Sequence, residues 1–280
     1  MFNNSDIAKH YERCELHYQY FWNLSQSKSM HYGYWDKSTK RFHDALMNIN
    51  KVMSEKVSIS KKDHVLDAGC GIGGSSLWLA ENIKCRVTGI TLSEMQMNQA
   101  RDYAKKQGLS EKAEFFQEDY TNTRFPAESF DVVWAIESVC HADDKAKFLK
   151  EAYRLLKPGG RLIIADFFMK NGIEGIDKKL VNKMAYGWAV TSFATLEAFN
   201  QAATETNFKN IIIEDASRAI MPSALRLYLS SFIGLIGTKL YALYKTPSHL
   251  TRYNARTANI QYRALKKGLW SYQIFQAVKE

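Results

Sequence analysis

Between residues 64 and 166 the chain alternates short apolar runs with longer amphipathic stretches. The runs His64 to Asp67, Arg86 to Ile90, Ala113 to Gln117, Phe130 to Ile136 and Arg161 to Asp166 have strand length and sit between turn-forming residues. The stretches between them predict helices over 74–82, 93–107 and 144–156. In the second of these, Met97, Ala100 and Tyr103 fall on one side, Ser93 can cap the start and Gly108 stops it. Lys157-Pro158-Gly159-Gly160 ends the third, because proline cannot continue a helix. Strands alternating with helices predict a parallel sheet covered on both faces.

The flanks read differently. Ser5 or Asp6 can cap a helix through Tyr11, and Phe42, Leu46, Ile49, Val52 and Met53 predict a helix over 40–57. Between them, Tyr18, Tyr20, Phe21 and Trp22 precede Met30-His31-Tyr32-Gly33-Tyr34-Trp35-Asp36, which is too aromatic for an exposed loop. After the fifth strand, residues 170–190 and 195–206 read as helices, the second capped by Thr195. Strands six and seven are expected at Asn210 to Glu214 and Trp270 to Val278. The sheet does not need the 216–268 segment, so it reads as a helical lid inserted between those strands.

Charge singles out the same segment. The chain carries a net +9, and from Ala216 to Lys279 it has no Asp or Glu. One-signed charge implies an anionic partner. Abundant Leu, Ile, Phe and Tyr in the segment argue against nucleic acid. They favour a membrane surface or an anionic, apolar small molecule. No apolar run is long enough to predict a transmembrane helix. The N-terminus shows neither a basic stretch nor an apolar core, so no signal peptide is expected. Cys14, Cys70, Cys85 and Cys140 form no C-x-x-C pair, which predicts reduced thiols, no metal site and a cytoplasmic protein, with peripheral membrane contact the open alternative.

In an open parallel sheet, ligands bind outside the carboxyl ends of the strands. Those ends carry Asp67, Thr91 and Leu92, Asp119 and Tyr120, Ile136 and Glu137, and Asp166, with His141 just beyond Glu137. A carboxylate following a core strand needs a partner or a task, which marks Glu137 as a candidate catalytic residue beside His141 and Asp166. Gly69, Gly71 and Gly73 follow Asp67 in a tight turn that lets a ligand approach the backbone. A dinucleotide fingerprint spaces its glycines G-x-G-x-x-G and places an acid after the second strand. Here the acid precedes the glycines and Thr91 stands after the second strand. A turn with no ligand is the plainer alternative.

Asp67-x-Gly69-x-Gly71-x-Gly73 resembles the first motif of class I S-adenosylmethionine-dependent methyltransferases. Gly89-Ile90-Thr91-Leu92-Ser93 with Gln96 resembles a subgroup that includes tocopherol, sterol, cyclopropane-fatty-acid and natural-product methyltransferases. Ala135 to Ala142 is similar to the sterol C-methyltransferase segment, Met30 to Trp35 to an aromatic cofactor-covering motif, and Leu155 to Gly160 to a motif of the whole class. The resemblance covers residues 5–215 and the last strand. It implies a Rossmann-like seven-stranded sheet with strand seven antiparallel. The implied domains are a cofactor-covering helical segment (1–60), a cofactor-binding core (61–215), a basic, apolar lid (216–268) and a final strand (269–280).

The resemblance also implies roles. Asp67, Gly69, Gly71 and Gly73 would surround the methionine moiety of S-adenosylmethionine. Thr91, Leu92 and Gln96 would meet the ribose, and Asp119 and Tyr120 would flank the adenine with Ile136 beside them. Tyr32 and Gly33 would close over the cofactor. Sugar O-methyltransferases of the subgroup use a His and an Asp where His141 and Asp166 stand. The sterol and cyclopropane branches have a Glu at position 137 near the reacting carbon. For an alkene acceptor, Tyr186, Trp188 and Phe193 could face a carbocation. The expected activity is C- or O-methylation of a small, largely apolar acceptor of terpenoid, sterol-like or prenyl-lipid type. A polyketide or glycoside O- or N-methyltransferase and a non-catalytic membrane-docking module are the alternatives.

Overall fold

The structure, a computed structural model, describes residues 2–10, 24–241 and 249–280, without the side chains of residues 25 and 233–255. Cys14, Tyr18, Tyr20, Phe21 and Trp22 lie outside the described residues.

Seven strands form one sheet in the order β3-β2-β1-β4-β5-β7-β6. They are β1 (His64–Ala68), β2 (Arg86–Thr91), β3 (Ala113–Gln117), β4 (Phe130–Ile136), β5 (Leu156–Met169), β6 (Lys209–Asp215) and β7 (Trp270–Val278). Strands β1 to β5 pair in parallel, and β7 runs antiparallel between β5 and β6. Strand order reverses direction between β1 and β4, which opens the crevice where such sheets bind ligands.

Side-chain alternation along the strands builds two cores. Val65, Val87, Trp134, Ile163 and Tyr272 face one side, with α1 (Phe42–Lys56), α5 (Gly175–Gly187) and the insertion between β6 and β7. Leu66, Ile90, Val133, Ile164 and Phe275 face the other, with α4 (Lys145–Leu155) and α6 (Leu196–Glu205). The remaining core helices are α2 (Gly74–Trp78), which runs into a π-turn over Leu79–Ile83, and α3 (Glu94–Lys106).

Local chemistry explains the boundaries. Ser93, Asp144 and Thr195 each accept a hydrogen bond from the backbone N–H three residues on, capping α3, α4 and α6. The N-terminal helix, over residues 4–10, is capped by neither Ser5 nor Asp6. Asn3 caps it: its Oδ1 accepts from Asp6 N, and Asn3 N donates back to Asp6 Oδ2, a reciprocal pair. Strand β5 starts five residues before the expected Arg161. Its early part pairs with the chain's end, where Gly159 N donates to Lys279 O and Lys279 N to Gly160 O.

The inserted segment is two helices, α7 (Ser217–Tyr241) and α8 (His249–Lys266). It is more than a lid, because its inner face belongs to the core: Ile220, Ala224, Gln261 and Ala264 are fully buried. Ser223 Oγ accepts from Gly33 N and Trp35 Nε1, and Trp35 N donates to Ala219 O. The aromatic Tyr32–Trp35 stretch is therefore clasped between α1 and α7. None of the described helices is long and apolar enough to cross a membrane.

Candidate active site

The site starts where β1 ends. Asp67 is 2 % exposed, and its Oδ2 accepts from Ser76 Oγ on α2 at 2.6 Å. Gly69 N and Cys70 N both donate to Ile90 O, folding the turn back on β2. Gly69 and Gly73 have φ of +93° and +86°, the left-handed region that disfavours other residues. A Cβ on Gly69 would also collide with Ser138, so the turn is packed as well as bent.

At the end of β2, Thr91 Oγ1 donates to Gln96 Oε1 at 2.9 Å and accepts from Ser93 N. The hydroxyl thus anchors the first turn of α3. After β3, Asp119 accepts from Thr121 N, Thr121 Oγ1 and Asn4 Nδ2, while Tyr120 OH donates to Ser138 O. Ser138 Oγ in turn donates to Ala68 O at 2.5 Å, tying the β4 end to the β1 end.

Glu137 follows β4 with φ of +50°, a strained backbone for a non-glycine residue. Its N–H donates to Ala165 O. Its Oε1 accepts from Tyr32 N at 2.7 Å and from Tyr272 OH at 3.0 Å. Burial, aided by the charge of Asp166, pushes its carboxyl well above the usual range, and the two hydrogen bonds only partly oppose this. Asp166, pushed up to about 6 by burial, accepts from Cys140 N and Phe167 N. Lys145 Nζ donates to Cys140 O and Ala142 O, so an acid and a base fix the turn between Glu137 and His141.

These ends open on one cleft enclosing about 850 Å³, mouth included. Of the residues marked in the sequence, Asp67, Gly69, Gly71, Thr91, Leu92, Gln96, Tyr120, Ile136, Glu137 and His141 line it. Five do not. Asp119 and Asp166 are not on the wall and anchor the turns beside it. Gly73 packs against Phe115 and Ala100. Gly33 is small because a Cβ there would lie 2.6 Å from the Cβ of Ala45. Tyr32 reaches Glu137 only through its N–H, and its buried side chain donates to Gln261 Oε1 instead. Met30 and His31 supply the wall from this motif.

Sequence reasoning also missed Ile7 and Ala8 on the wall. The helix over residues 4–10 lies across the cleft, and Asn4 bonds to Asp119 across 115 positions. His10 is buried close enough to His141 to depress its basicity. Nothing in the short, weakly patterned stretch 2–10 signals this.

The electrostatics suit a cation. Among the described residues neither Asp67 nor Glu137 has an ion-pair partner within 4.0 Å. Lys28, also on the wall, holds its ammonium over the Tyr103 ring. His31 and His141 are driven down to about 4 and about 3, chiefly by burial, and stay neutral. No group of described His, Cys, Asp or Glu could hold a metal ion. S-adenosylmethionine carries a sulfonium and an ammonium, and it fits a turn open at the backbone with the buried Asp67 carboxyl beside it.

Burial, opposed by Ser76, lifts the Asp67 carboxyl to about 6. A folded-state value above the unfolded one means folding takes up a proton. Without ligand, this group's contribution to stability is therefore largest below about pH 4 and is lost as pH rises through about 6. Binding a cation needs the carboxylate and runs the other way. Affinity for S-adenosylmethionine is expected to rise about tenfold between roughly pH 5 and pH 7.5. Calorimetric titrations across that range check this, and a flat profile contradicts the role of Asp67.

The methyltransferase-domain family matches residues 66–164. The chain is 30 % identical over 196 residues to 27-O-demethylrifamycin SV methyltransferase of Amycolatopsis mediterranei, covering 70 % of this chain and 72 % of that protein. It is 28 % identical over 201 residues to the sterol 24-C-methyltransferase of Saccharomyces cerevisiae, covering 71 % of this chain and 51 % of the relative. The cyclopropane synthase MmaA2 of Mycobacterium tuberculosis shares the fold, with a TM-score of 0.84 over 99 % of this chain and 98 % of that one, at 14 % identity. With the acid–glycine turn, the Thr91 variant of the second-strand motif and an antiparallel β7, the chain belongs to the class I S-adenosylmethionine-dependent methyltransferases.

Proposed function

We propose that the protein methylates a small, largely apolar acceptor of terpenoid, sterol-like or prenyl-lipid type, at carbon or oxygen, with Glu137 as proton acceptor. Bound S-adenosylmethionine supplies a methyl group on a positively charged sulfur. Asp67 and the Gly69–Gly71 backbone hold the methionine end, Thr91, Leu92 and Gln96 the ribose side, and Tyr120 and Ile136 the base. Ile7, Ala8, Met30 and His31 wall the cleft with largely apolar surface, and where cofactor and acceptor displace its water the charge interactions inside it strengthen.

The observation that carries the reading is the setting of Glu137. The two groups that hold it, Tyr32 N–H and Tyr272 O–H, belong to a cluster of rings. Tyr32, Phe167, Trp188, Phe193, Trp270 and Tyr272 have neighbouring centroids 5.1–6.5 Å apart. None of these rings lines the cleft, so they act through Glu137: they keep its carboxyl in an apolar setting, which suits an apolar acceptor beside it. Tyr186 does not belong to this cluster: it is 46 % exposed and meets Phe2 at 5.2 Å. A raised carboxyl value makes the Glu137 carboxylate a stronger base, nearer the operating pH. It would take the proton that the acceptor releases on methylation. His141, held at about 3 with Nδ1 3.3 Å from Ala189 O, is a weak base and serves better to orient the acceptor.

A polyketide O-methyltransferase, with His141 as base, is the second reading. The rifamycin-modifying relative supports it and the depressed His141 value weighs against it. Purified protein is incubated with labelled S-adenosylmethionine and a sterol, a prenylated quinol, a prenyl diphosphate, a polyketide and a glycoside. Transfer to one of the first three is expected. Transfer confined to the polyketide or glycoside overturns the apolar reading. Cofactor binding with no transfer to any of them would favour a non-catalytic module.

A further inference from the structure

We propose that the outer face of α7 seats this protein on an anionic lipid bilayer. The inner face of α7 is fully used, since Ile220, Ser223 and Ala224 are buried against the Tyr32–Trp35 stretch and the core. Its outer face presents Leu225 at 37 %, Leu229 at 57 % and Phe232 at 45 % exposure. Steps of four and three residues set these side chains on one stripe. An apolar stripe on water is costly, and it calls for a partner.

Charge selects the partner. Arg218 and Arg226 are exposed on the same helix, and Arg226 lays its guanidinium 4.7 Å from the Phe42 ring centroid. From Ala216 to Lys279 the chain has cations and no acid. A second copy docking here would set this one-signed segment against itself. A bilayer with anionic headgroups accepts both the apolar stripe and the cations, the combination expected of a helix lying in the interface. The contact is peripheral, since no described helix can span a membrane. The inference does not depend on the acceptor.

The test uses the full chain and sedimentation with vesicles of phosphatidylcholine alone or mixed with phosphatidylglycerol. Binding to the mixed vesicles only, weakening as salt is raised, is expected. Arg218→Glu with Arg226→Glu lowers the partition coefficient about thirtyfold or more. Leu229→Asp with Phe232→Asp lowers it about tenfold or more while cofactor affinity stays at the wild-type value. No binding to mixed vesicles, equal binding to neutral ones, or wild-type binding by both variants overturns the inference. So does concentration-dependent dimerisation that Leu229→Asp with Phe232→Asp abolishes in protein that ignores vesicles.

Discussion

Asp67→Asn is expected to bind S-adenosylmethionine about a hundredfold more weakly than the wild type while remaining folded. The substitution keeps the shape of the side chain and an oxygen for Ser76 Oγ, so β1 and α2 keep their link. What it removes is the one formal charge at the turn. A charge-assisted hydrogen bond to a buried acid is worth about 1.5–3 kcal/mol, and the lost attraction to a cation in a water-poor cleft adds to that. The variant separates binding from stability. Because burial raises the Asp67 carboxyl to about 6, the ionised group destabilises the ligand-free fold near neutral pH. Asp67→Asn should therefore unfold at a temperature equal to or above the wild type's. Weaker binding together with a lower melting temperature would show that Asp67 serves the fold.

Glu137→Gln is expected to lower kcat by about 10²–10⁴ and leave cofactor affinity within about threefold. The amide oxygen can still accept from Tyr32 N and Tyr272 OH, so the strained turn and the cover stay in place. Only the proton-accepting function is lost. Wild-type kcat should fall as pH drops through the raised Glu137 value, and the variant's residual rate should lack that limb. A variant with wild-type kcat would move the proton to another residue. Loss of cofactor binding in parallel with rate would make Glu137 part of the cofactor site instead.

Much of this was legible in the chain, for identifiable reasons. The Asp67–Gly73 turn is local, and its glycines record positive φ, with close packing at Gly69 and Gly73. Ser93 and Thr195 announced their helices because a cap is settled within three residues. Strand β7 was placed from its apolar run alone. What escaped depends on partners far along the chain. Strand β5 runs early because Gly159 and Gly160 meet Lys279. Tyr32 looked like a cofactor cover, yet its hydroxyl is claimed by Gln261, 229 positions away. Asp166 looked catalytic, and backbone N–H groups of the neighbouring turn hold it off the wall. The 216–268 segment showed its charge and apolarity plainly, but which of its faces builds the core is decided by contacts with Gly33 and Trp35.

The most direct measurement is calorimetric titration of the wild-type protein with S-adenosylmethionine, S-adenosylhomocysteine and a nicotinamide dinucleotide near neutral pH. Micromolar, one-to-one binding of the first two and none of the third is the expected result. No heat with either adenosyl ligand, or preference for the dinucleotide, would contradict the assignment of the glycine turn and every role built on it.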